Sequence, residues 1–328
     1  MVEPRVWWRM PGESALRTLR LGEGEEAFVF SPFDDSPGIT LSGRSVLTDW
    51  TEIEIPAAVL GATPSAEPMS EARYKSAISE ALVDIENGHF DKVVISRHAT
   101  TASDADPVEV FRAKAKQYPD AFVYLWCHGE TGVWLGATPE LLVASASAED
   151  HWQTVSLAGT LRLSQEGSAW TDKERTEQAV VTKYISERLT DAGAGELQIG
   201  DTGELKYGDI AHLQTPIWFE ASRSILELAE SLHPTPAVAG TPLKAARSFI
   251  RRVESGARRY YSGYLGWMQA PTNGALYVNL RCMSWNADGV VAYAGAGIVS
   301  GSDPDLEWLE TEAKLDSIRN ILVPSAGD

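Results

Sequence analysis

The amino-acid sequence predicts an α+β fold built as a single large domain. Strand-like runs are numerous and helical patterns are interspersed among them irregularly, which is typical of α+β folds. The 328 residues are 44% hydrophobic and 23% charged, enough for a substantial core. We find no repeat, low-complexity block or clear linker after residue 69. Residues 1–69 are therefore predicted to be N-terminal strands and a connector of the same domain, and residues 70–322 its main part.

The first third of the chain contains two predicted helices among strands. Before residue 65, short apolar runs between turn residues indicate short strands and loops. Residues 70–88 repeat apolar side chains with a period of 3.6 and end at Asn-Gly, which predicts an amphipathic helix. The β-branched run at 91–97 predicts a strand, and residues 107–117 predict the next helix.

The middle third begins with apolar runs at 121–127 and 133–136, which a glycine-containing turn joins into a predicted hairpin. The turn at 137–142 carries an acid, Glu140, between apolar neighbours. A strand is predicted at 154–163 and a helix at 172–192.

The last third mixes strands with short helices. The predicted elements are a strand from 211, helices at 225–232 and 242–254, and strands at 261–267, 275–284 and 290–294. After this last strand, Asp303 is a good N-cap and Pro304 suits the first position of a final helix. The N–H groups of the glycine-rich turn and the helix start should point into one cleft, which outlines an anion site.

Composition argues against several classes of function. The formal net charge of −18 disfavours non-specific binding to nucleic acid or to anionic membranes. Cys127 and Cys282 are the only cysteines and lie in apolar runs, so we expect neither a disulfide framework nor a cysteine metal site. No run of 18 apolar residues occurs and the N-terminus lacks a signal-peptide core, so we expect a cytoplasmic protein.

Two predicted helices carry glutamates at spacing i, i+3 near their starts. Glu174 and Glu177 form the first pair, Glu307 and Glu310 the second, and Lys314 follows Glu310 on the same helix face. Magnesium prefers oxygen ligands and usually takes only one or two carboxylates from a protein. Four carboxylates on two helices therefore suit one hard cation, although exposed helices also carry such pairs purely for solubility.

Four further polar residues stand among apolar neighbours. Lys92 opens a predicted strand and has two interpretations. It is either a desolvated lysine that serves as a general base, or an exposed lysine that protects a sheet edge from pairing with another chain. Glu140 is either an acid whose pKa is raised by apolar surroundings or a surface turn residue. His212 either binds a substrate oxygen or is structural, and Arg281, within a predicted strand, needs an anionic partner from substrate or protein.

Together these segments resemble the chorismate-utilising enzymes, the family that includes isochorismate synthase, salicylate synthase and anthranilate synthase component I. The resemblance covers about residues 70–322, with the motifs in the family's order. The matching segments are KVVISR at 92–97, GATPE at 136–140, LAGT at 157–160, Lys173-Glu174 with Glu177, His212-Leu213, the run 233–240, YSG at 261–263, Arg281, GAGI at 295–298, and Glu307-Trp308 through Lys314.

The resemblance implies a fold and a set of site residues. It implies two antiparallel sheets packed face to face with helices outside, and a Mg²⁺ cofactor with Glu177 and Glu310 as direct ligands and Glu174 and Glu307 as their supports. Substrate-binding roles are implied for Thr160, His212, Tyr261, Arg281, Gly295, Ala296, Gly297 and Lys314. Gln178 departs from the family pattern, because many relatives carry histidine there.

Within the family, the residue at position 92 separates two chemistries. Amine-forming members carry glutamine there, whereas Lys92 is similar to the base of members that add water. The resemblance therefore implies chorismate as the substrate and isochorismate as the product. Lys92 is expected to activate water for attack at C2, and Glu140 to protonate the C4 hydroxyl as it leaves. No ammonia-supplying glutaminase partner is expected.

Two alternatives stay open. Salicylate synthases share Lys92 and Glu140 but go on to eliminate pyruvate, and they lack the proline that stands here as Pro216. A catalytically silent binding subunit is the second alternative, and the intact Lys92, Glu140 and four glutamates speak against it. Whether the product feeds menaquinone, a siderophore or salicylate made by a separate lyase is also open.

Overall fold

In a computed structural model, the structure describes residues 2–65, 67–146, 150–163, 169–207, 210–254, 258–269 and 271–322, with only the backbone at 162, 173 and 207. The α-helices are α1 Glu71–Glu86, α2 Pro107–Gln117, α3 Asp172–Asp191, α4 Ile225–Leu232, α5 Leu243–Val253 and α6 Pro304–Arg319. The strands are β1 Arg5–Arg9, β2 Leu16–Ser31, β3 Ile39–Leu47, β4 Lys92–Thr101, β5 Phe122–His128, β6 Gly132–Thr138, β7 Leu141–Ser145, β8 His151–Arg162, β9 Gln198–Ile199, β10 Gly203–Tyr207, β11 Ile210–Glu220, β12 Gly240–Thr241, β13 Tyr264–Gln269, β14 Asn273–Val278, β15 Cys282–Asn286 and β16 Gly289–Ile298.

Short polar side chains cap the starts of α1, α2, α4 and α6. The Ser70 side chain accepts from the Arg73 N–H at the start of α1. Asp106 accepts from the Val108 N–H before α2, whose first residue is proline. Asp303 accepts from the N–H groups of Asp305 and Leu306 at the start of α6, so the predicted Asp303-Pro304 start is confirmed.

The named strands pair antiparallel in one continuous hydrogen-bonded order. That order is β10-β11-β8-β7-β14-β13-β2-β1-β5-β6-β15-β16-β4-β12, with β3 added to β2 and β9 to β11. β2 is the bridge between the two halves, because its first part pairs β1 through Thr18 and Trp7 and its last part pairs β13 through Phe28 and Trp267.

The two halves of this sheet pack face to face. Phe122 of β5 and Tyr277 of β14 stack with ring centroids 4.4 Å apart. In the strand order they are four steps apart, which would separate them by about 19 Å in a flat sheet at ~4.8 Å per strand. The sheet must therefore fold over between β14 and β5, within β2, whose first part pairs β1 and whose last part pairs β13. The predicted two packed sheets are confirmed, as the halves of a single hydrogen-bonded sheet.

Large aromatic side chains fill the space between the halves. Trp8, Phe28, Phe30, Trp126 and Trp134 are each fully buried there. Outside, α2 and α6 cover one half, α3 and α4 cover the other, and α1 and α5 pack over β4 and β16. Among the residues that the structure describes, no helix combines the length and apolarity needed to cross a membrane.

Several predictions of strand boundaries are wrong. The strand predicted at 261–267 is β13 Tyr264–Gln269, so Tyr261 lies in the turn before it. The predicted strand at 275–284 is two strands, β14 and β15, separated by a turn at 279–281 in which Arg281 has φ of +51°. The turn is fixed from a distance, since the Tyr124 hydroxyl donates to Asn279 Oδ1 at 2.7 Å. The N-terminal strands are also longer than predicted, because β2 continues through polar residues with a register shift against β3 between Leu21 and Glu26.

Candidate active site

One cavity gathers nearly all the residues that the sequence singles out. The predicted residues that line it are Lys92, Glu140, Thr160, Glu174, Glu177, His212, Tyr261, Arg281, Gly295, Gly297, Glu307, Glu310 and Lys314. Ala296 is the exception among them. Its methyl group packs into the apolar cluster under α1 and α5, so only its backbone can face a ligand.

The topology explains why residues so far apart in sequence meet. β8 and β11 lie near one end of the strand order, and β4 and β16 lie near the other. Folding the sheet over brings the two ends together, with α3 and α6 entering the same cleft. The end of β16 pairs with β4, with Gly297 opposite Val94. The Gly295 carbonyl accepts from Lys314 Nζ at 2.9 Å, which ties β16 to α6.

Lys92 is buried at the start of β4 and has a carboxylate partner. Its side chain is 4% exposed, and its Nζ lies 2.6 Å from Glu177 Oε1. A buried ammonium needs such a partner to offset its lost hydration. Gly297 makes room for the pair, because a Cβ there would lie 2.9 Å from Lys92 Cε and 3.4 Å from Glu177 Oε1. The interpretation of Lys92 as an exposed edge lysine is therefore wrong.

Glu140 sits in the two-residue connection between β6 and β7 and is 4% exposed. Its carbonyl accepts from the Val278 N–H at 2.9 Å, which fixes the loop against β14. Burial raises the pKa of the Glu140 carboxyl to about 7, and the positive charge of Lys92 acts in the opposite direction. Near neutral pH a substantial fraction of Glu140 is therefore protonated and able to donate a proton, as its apolar neighbours in sequence predict.

The four predicted metal-binding glutamates come from the first two turns of α3 and α6. In the described part of the chain, no three histidine, cysteine, aspartate or glutamate side chains come close enough to hold a metal ion by themselves. Glu177 contacts Lys92, and Glu310 Oε1 lies 2.6 Å from Lys314 Nζ. Magnesium usually takes one or two protein carboxylates and completes its shell with water and substrate oxygens. Four carboxylates around one cavity therefore fit this ion.

His212 and Arg281 form a linked pair at the cavity wall. His212 Nδ1 lies 2.8 Å from the Gly159 carbonyl, which can only accept, so Nδ1 carries the proton. His212 Nε2 is then an acceptor, 3.2 Å from Arg281 Nη2. Burial, aided by the charge of Arg281, lowers the pKa of His212 to about 3, so the ring is neutral. Both ring nitrogens are thus used within the protein, and His212 orients Arg281.

Two side chains, Arg97 and Gln178, make contacts that the sequence does not predict and that hold the helices carrying the glutamates. The Arg97 guanidinium stacks 3.6 Å above the Trp308 ring, and Arg97 Nε donates to Thr311 Oγ1 at 2.7 Å, which fixes α6. Gln178 Nε2 donates to the Ser156 carbonyl at 3.0 Å and lies 2.9 Å from Thr215 Oγ1. Gln178, one residue beyond Glu177, thereby fastens α3 to β8 and β11.

A further sequence signal near the site is a lysine on the apolar face of α2. Residues 107, 110, 111, 115 and 118 form the buried face of α2, and Lys114 lies on that same face. A lysine at an apolar position of a helical pattern indicates a buried charge with a specific partner. The structure places that partner on α6, next to Arg281.

Comparison of the sequence with known proteins identifies one family of enzymes. A protein-family model described as chorismate binding enzyme matches residues 50–323. The chain is 34% identical over 280 residues to the salicylate biosynthesis isochorismate synthase of Pseudomonas aeruginosa, covering 81% of this chain and 58% of that protein. It is 31% identical over 265 residues to the isochorismate synthase EntC of Escherichia coli K12, covering 76% of this chain and 67% of that protein. The chain thus spans a little over half the length of the Pseudomonas relative.

A solved structure shares the fold. The menaquinone-specific isochorismate synthase MenF of Escherichia coli superposes with a TM-score of 0.82 over 98% of this chain and 89% of that chain, at 23% sequence identity. The folded-over sheet with helices on both outer faces is therefore an architecture already seen in a crystal.

Proposed function

This chain belongs to the chorismate-binding enzyme family, and from that premise we propose that it is an isochorismate synthase. The observation that carries the proposal is the presence of both Lys92 and Glu140 in one cavity, each buried and each ionisable. One can accept a proton from water and the other can donate a proton to a departing hydroxyl. The two curated relatives described above are named isochorismate synthases, which supports the same activity.

The proposed reaction adds a hydroxyl group from water at ring carbon C2 and removes the hydroxyl group from ring carbon C4. Neutral Lys92 takes a proton from water as the water oxygen bonds to C2 of chorismate. The ring double bonds shift, the C4–O bond breaks, and protonated Glu140 gives its proton to the leaving oxygen, so that water departs. Lys92 ends protonated and Glu140 ionised, and a proton transfer through solvent restores both groups.

We propose that the substrate's carboxylates are held by Arg281, Lys314, Tyr261 and the backbone at Gly295 and Gly297. Arg281 is a planar multiple donor suited to a carboxylate, and Lys314 is a point charge close to the β16 backbone. The cavity therefore offers cations for the two carboxylates of chorismate and a separate acid–base pair for its ring.

We further propose Mg²⁺ as the cofactor, with Glu177 and Glu310 as direct ligands and Glu174 and Glu307 supporting them. When bound, magnesium would neutralise and orient a carboxylate of the substrate. Glu177 contacts Lys92 and Glu310 contacts Lys314, so each proposed direct ligand lies beside a lysine of the cavity.

The experiment that tests this function is direct. The purified chain is incubated with chorismate and Mg²⁺, and the products are separated by chromatography. Isochorismate in equilibrium with chorismate is the expected result. Salicylate with pyruvate would replace this proposal with a salicylate synthase. Stabilisation by chorismate without any product would replace it with a silent binding subunit. Lys92→Met, which keeps the side-chain length, serves as the inactive control.

A further inference from the structure

Lys114 of α2 is a buried cation that the proposed reaction does not use. The residue is 2% exposed, and its side chain lies among Val110, Phe111 and Tyr118 on the apolar face of the helix. In the described part of the chain, its contacts are a hydrogen bond from Nζ to the Ser317 carbonyl at 3.0 Å and the Tyr118 ring, 5.2 Å away. No carboxylate ion pair is found for it there, so burial of this charge is costly.

Ser317 joins Lys114 to the candidate active site. Its carbonyl accepts from Lys114 Nζ, while its hydroxyl lies 3.3 Å from Arg281 Nη1 and donates to the Lys314 carbonyl at 2.7 Å. Ser317 stands three residues after Lys314, so it continues the face of α6 that carries Glu307, Glu310 and Lys314. One serine therefore contacts the side chain of one proposed carboxylate-binding residue and the backbone of the other.

Arg281 depends on such contacts for its orientation. Its backbone is in the left-handed region at φ of +51°, in a turn and not in a strand, so the strand ladder does not fix its side chain. His212 Nε2 accepts from Nη2, and the Ser317 hydroxyl accepts from Nη1. Held at both Nη atoms, the guanidinium plane has a defined direction.

We propose that Ser317, seated on Lys114, is a positioning residue that aims Arg281 at a carboxylate of the substrate. Lys114 holds the Ser317 carbonyl, and its protonated form places a further positive charge behind Arg281, which strengthens the attraction for an anion. This inference rests on the function proposed above and names two residues that act through Arg281. The closeness of the two charges also appears in the pKa of Lys114, which burial and then Arg281 lower to about 7.

The competing explanation is purely structural. Ser317 lies in the last turn of α6, where carbonyl groups lack helical partners and lysine side chains commonly cap them. A cap alone would change the stability of α6 and leave the affinity for chorismate unaltered. The two explanations therefore separate in KM, in kcat and in the thermal midpoint.

Ser317→Ala is the primary test, because it removes one oxygen and little packing. We expect KM for chorismate to rise about fivefold to tenfold, as for loss of one ordinary hydrogen bond, with kcat within about twofold. The rise belongs in KM because Arg281 binds the substrate away from the carbons that react. Ser317→Thr keeps the hydroxyl and is expected to restore KM to within about twofold of the starting value.

Lys114→Met and Lys116→Met are a matched pair. Both remove one positive charge from the same helix, but Lys116 is exposed. We expect KM to rise in the first variant and to stay unchanged in the second. If Lys114→Met does not fold, Ser317→Ala decides alone. Lowered thermal midpoints with unchanged KM in both Ser317→Ala and Lys114→Met would overturn the proposal and leave a helix cap.

Calorimetric binding of chorismate to the same proteins separates this inference from the proposed function. If the unaltered chain binds chorismate without turnover, the proposed activity falls, and the dissociation constants of the variants still decide the role of Ser317. If it turns over chorismate and the variants match it in KM, only the positioning role falls. If it neither binds nor converts chorismate, both proposals are overturned.

Discussion

Glu140 and Lys92 are both buried ionisable side chains, but they lie in different surroundings. Lys92 has a carboxylate partner, with its Nζ 2.6 Å from Glu177 Oε1. Glu140 is buried, and the charge of Lys92 only partly offsets the cost of ionising it. A base and an acid with separate environments are what a reaction that moves two protons needs.

The raised pKa of Glu140 leads to a prediction about pH. Glu140 must be protonated to act as the acid, and the protonated fraction falls as pH rises through about 7. We therefore expect kcat to decrease on the alkaline side of about pH 7, measured as isochorismate formed at saturating chorismate. Glu140→Gln should lower kcat about 100-fold or more and still bind chorismate. A glutamine variant with undiminished kcat would remove Glu140 from the acid role.

Replacement of the proposed base has a different signature. Lys92→Ala removes the group that takes the proton from water, so turnover should fall about 100-fold or more while the affinity for chorismate is largely kept. Stopped-assay rates and calorimetric binding measure the two quantities. Turnover close to that of the unaltered chain would mean that another group activates the water.

The metal proposal is tested at Glu310. Glu310→Gln removes one anionic ligand, so the Mg²⁺ concentration for half-maximal rate should rise about tenfold or more. A titration of rate against Mg²⁺ measures this, and Glu312→Gln, on the same helix but bound to Arg97, is the comparison. An unchanged titration for Glu310→Gln would exclude this residue from the metal site.

At the scale of elements, local signals predict helices better than strands. α2 and α4 have the predicted bounds, because their start signals lie in adjacent residues: proline at the first turn in one and a capping box at Ser224 in the other. The break between β14 and β15 could not be predicted, since it depends on Tyr124, more than 150 residues upstream in the chain. Long-range contacts of this kind leave no periodic pattern in sequence.

In the candidate site too, residues with local sequence signals are predictable and residues that act through long-range contacts are not. Lys92, Glu140 and the glutamates are recognisable from motifs, because each stands beside residues of fixed type in the family pattern. Ser317 and Arg97 act only through partners that folding supplies, Arg281 for one and Trp308 for the other. Lys114 is an intermediate case, because its place on an apolar helix face is visible in the sequence but its partner is not.

The close approach of β16 to Lys92 leads to a prediction about the strand. Gly297→Ala places a methyl group 2.9 Å from Lys92 Cε, which the flexible end of the lysine can avoid only by moving. We expect a folded protein with a nearly unchanged thermal midpoint and a kcat about 10–100-fold lower, as for a misplaced catalytic group. Gly203→Ala in β10, with no atom within 4 Å of the added Cβ, should leave kcat unaltered.

At the scale of the whole molecule, stability and site geometry depend on the same fold of the sheet. Phe122 and Tyr277 stack across the two halves, and both lie in the aromatic core that keeps the halves together. The strands that carry the site stand at opposite ends of the strand order. Loss of aromatic contacts between the halves should therefore affect the site from a distance.

Phe122→Ala tests how strongly the stability of the protein depends on the aromatic contacts between the two halves. Removing a fully buried phenylalanine should lower the free energy of unfolding by about 3–5 kcal/mol, measured by urea denaturation. Leu47→Ala is the control, because Leu47 is 71% exposed and its loss should change stability by less than about 0.5 kcal/mol. A small effect of Phe122→Ala would mean that the halves are held mainly by contacts outside the aromatic core.

The closure of the sheet also sets when the site can form. Lys92 and Glu177 are 85 residues apart in the chain, and Arg97 and Thr311 are 214 apart, so the cavity is built from contacts of large sequence separation. Such contacts form slowly, because the entropy of closing long loops is lost before they are made. After dilution from urea, helical signal should return first, and the ability to convert substrate should return only with the slowest tertiary step.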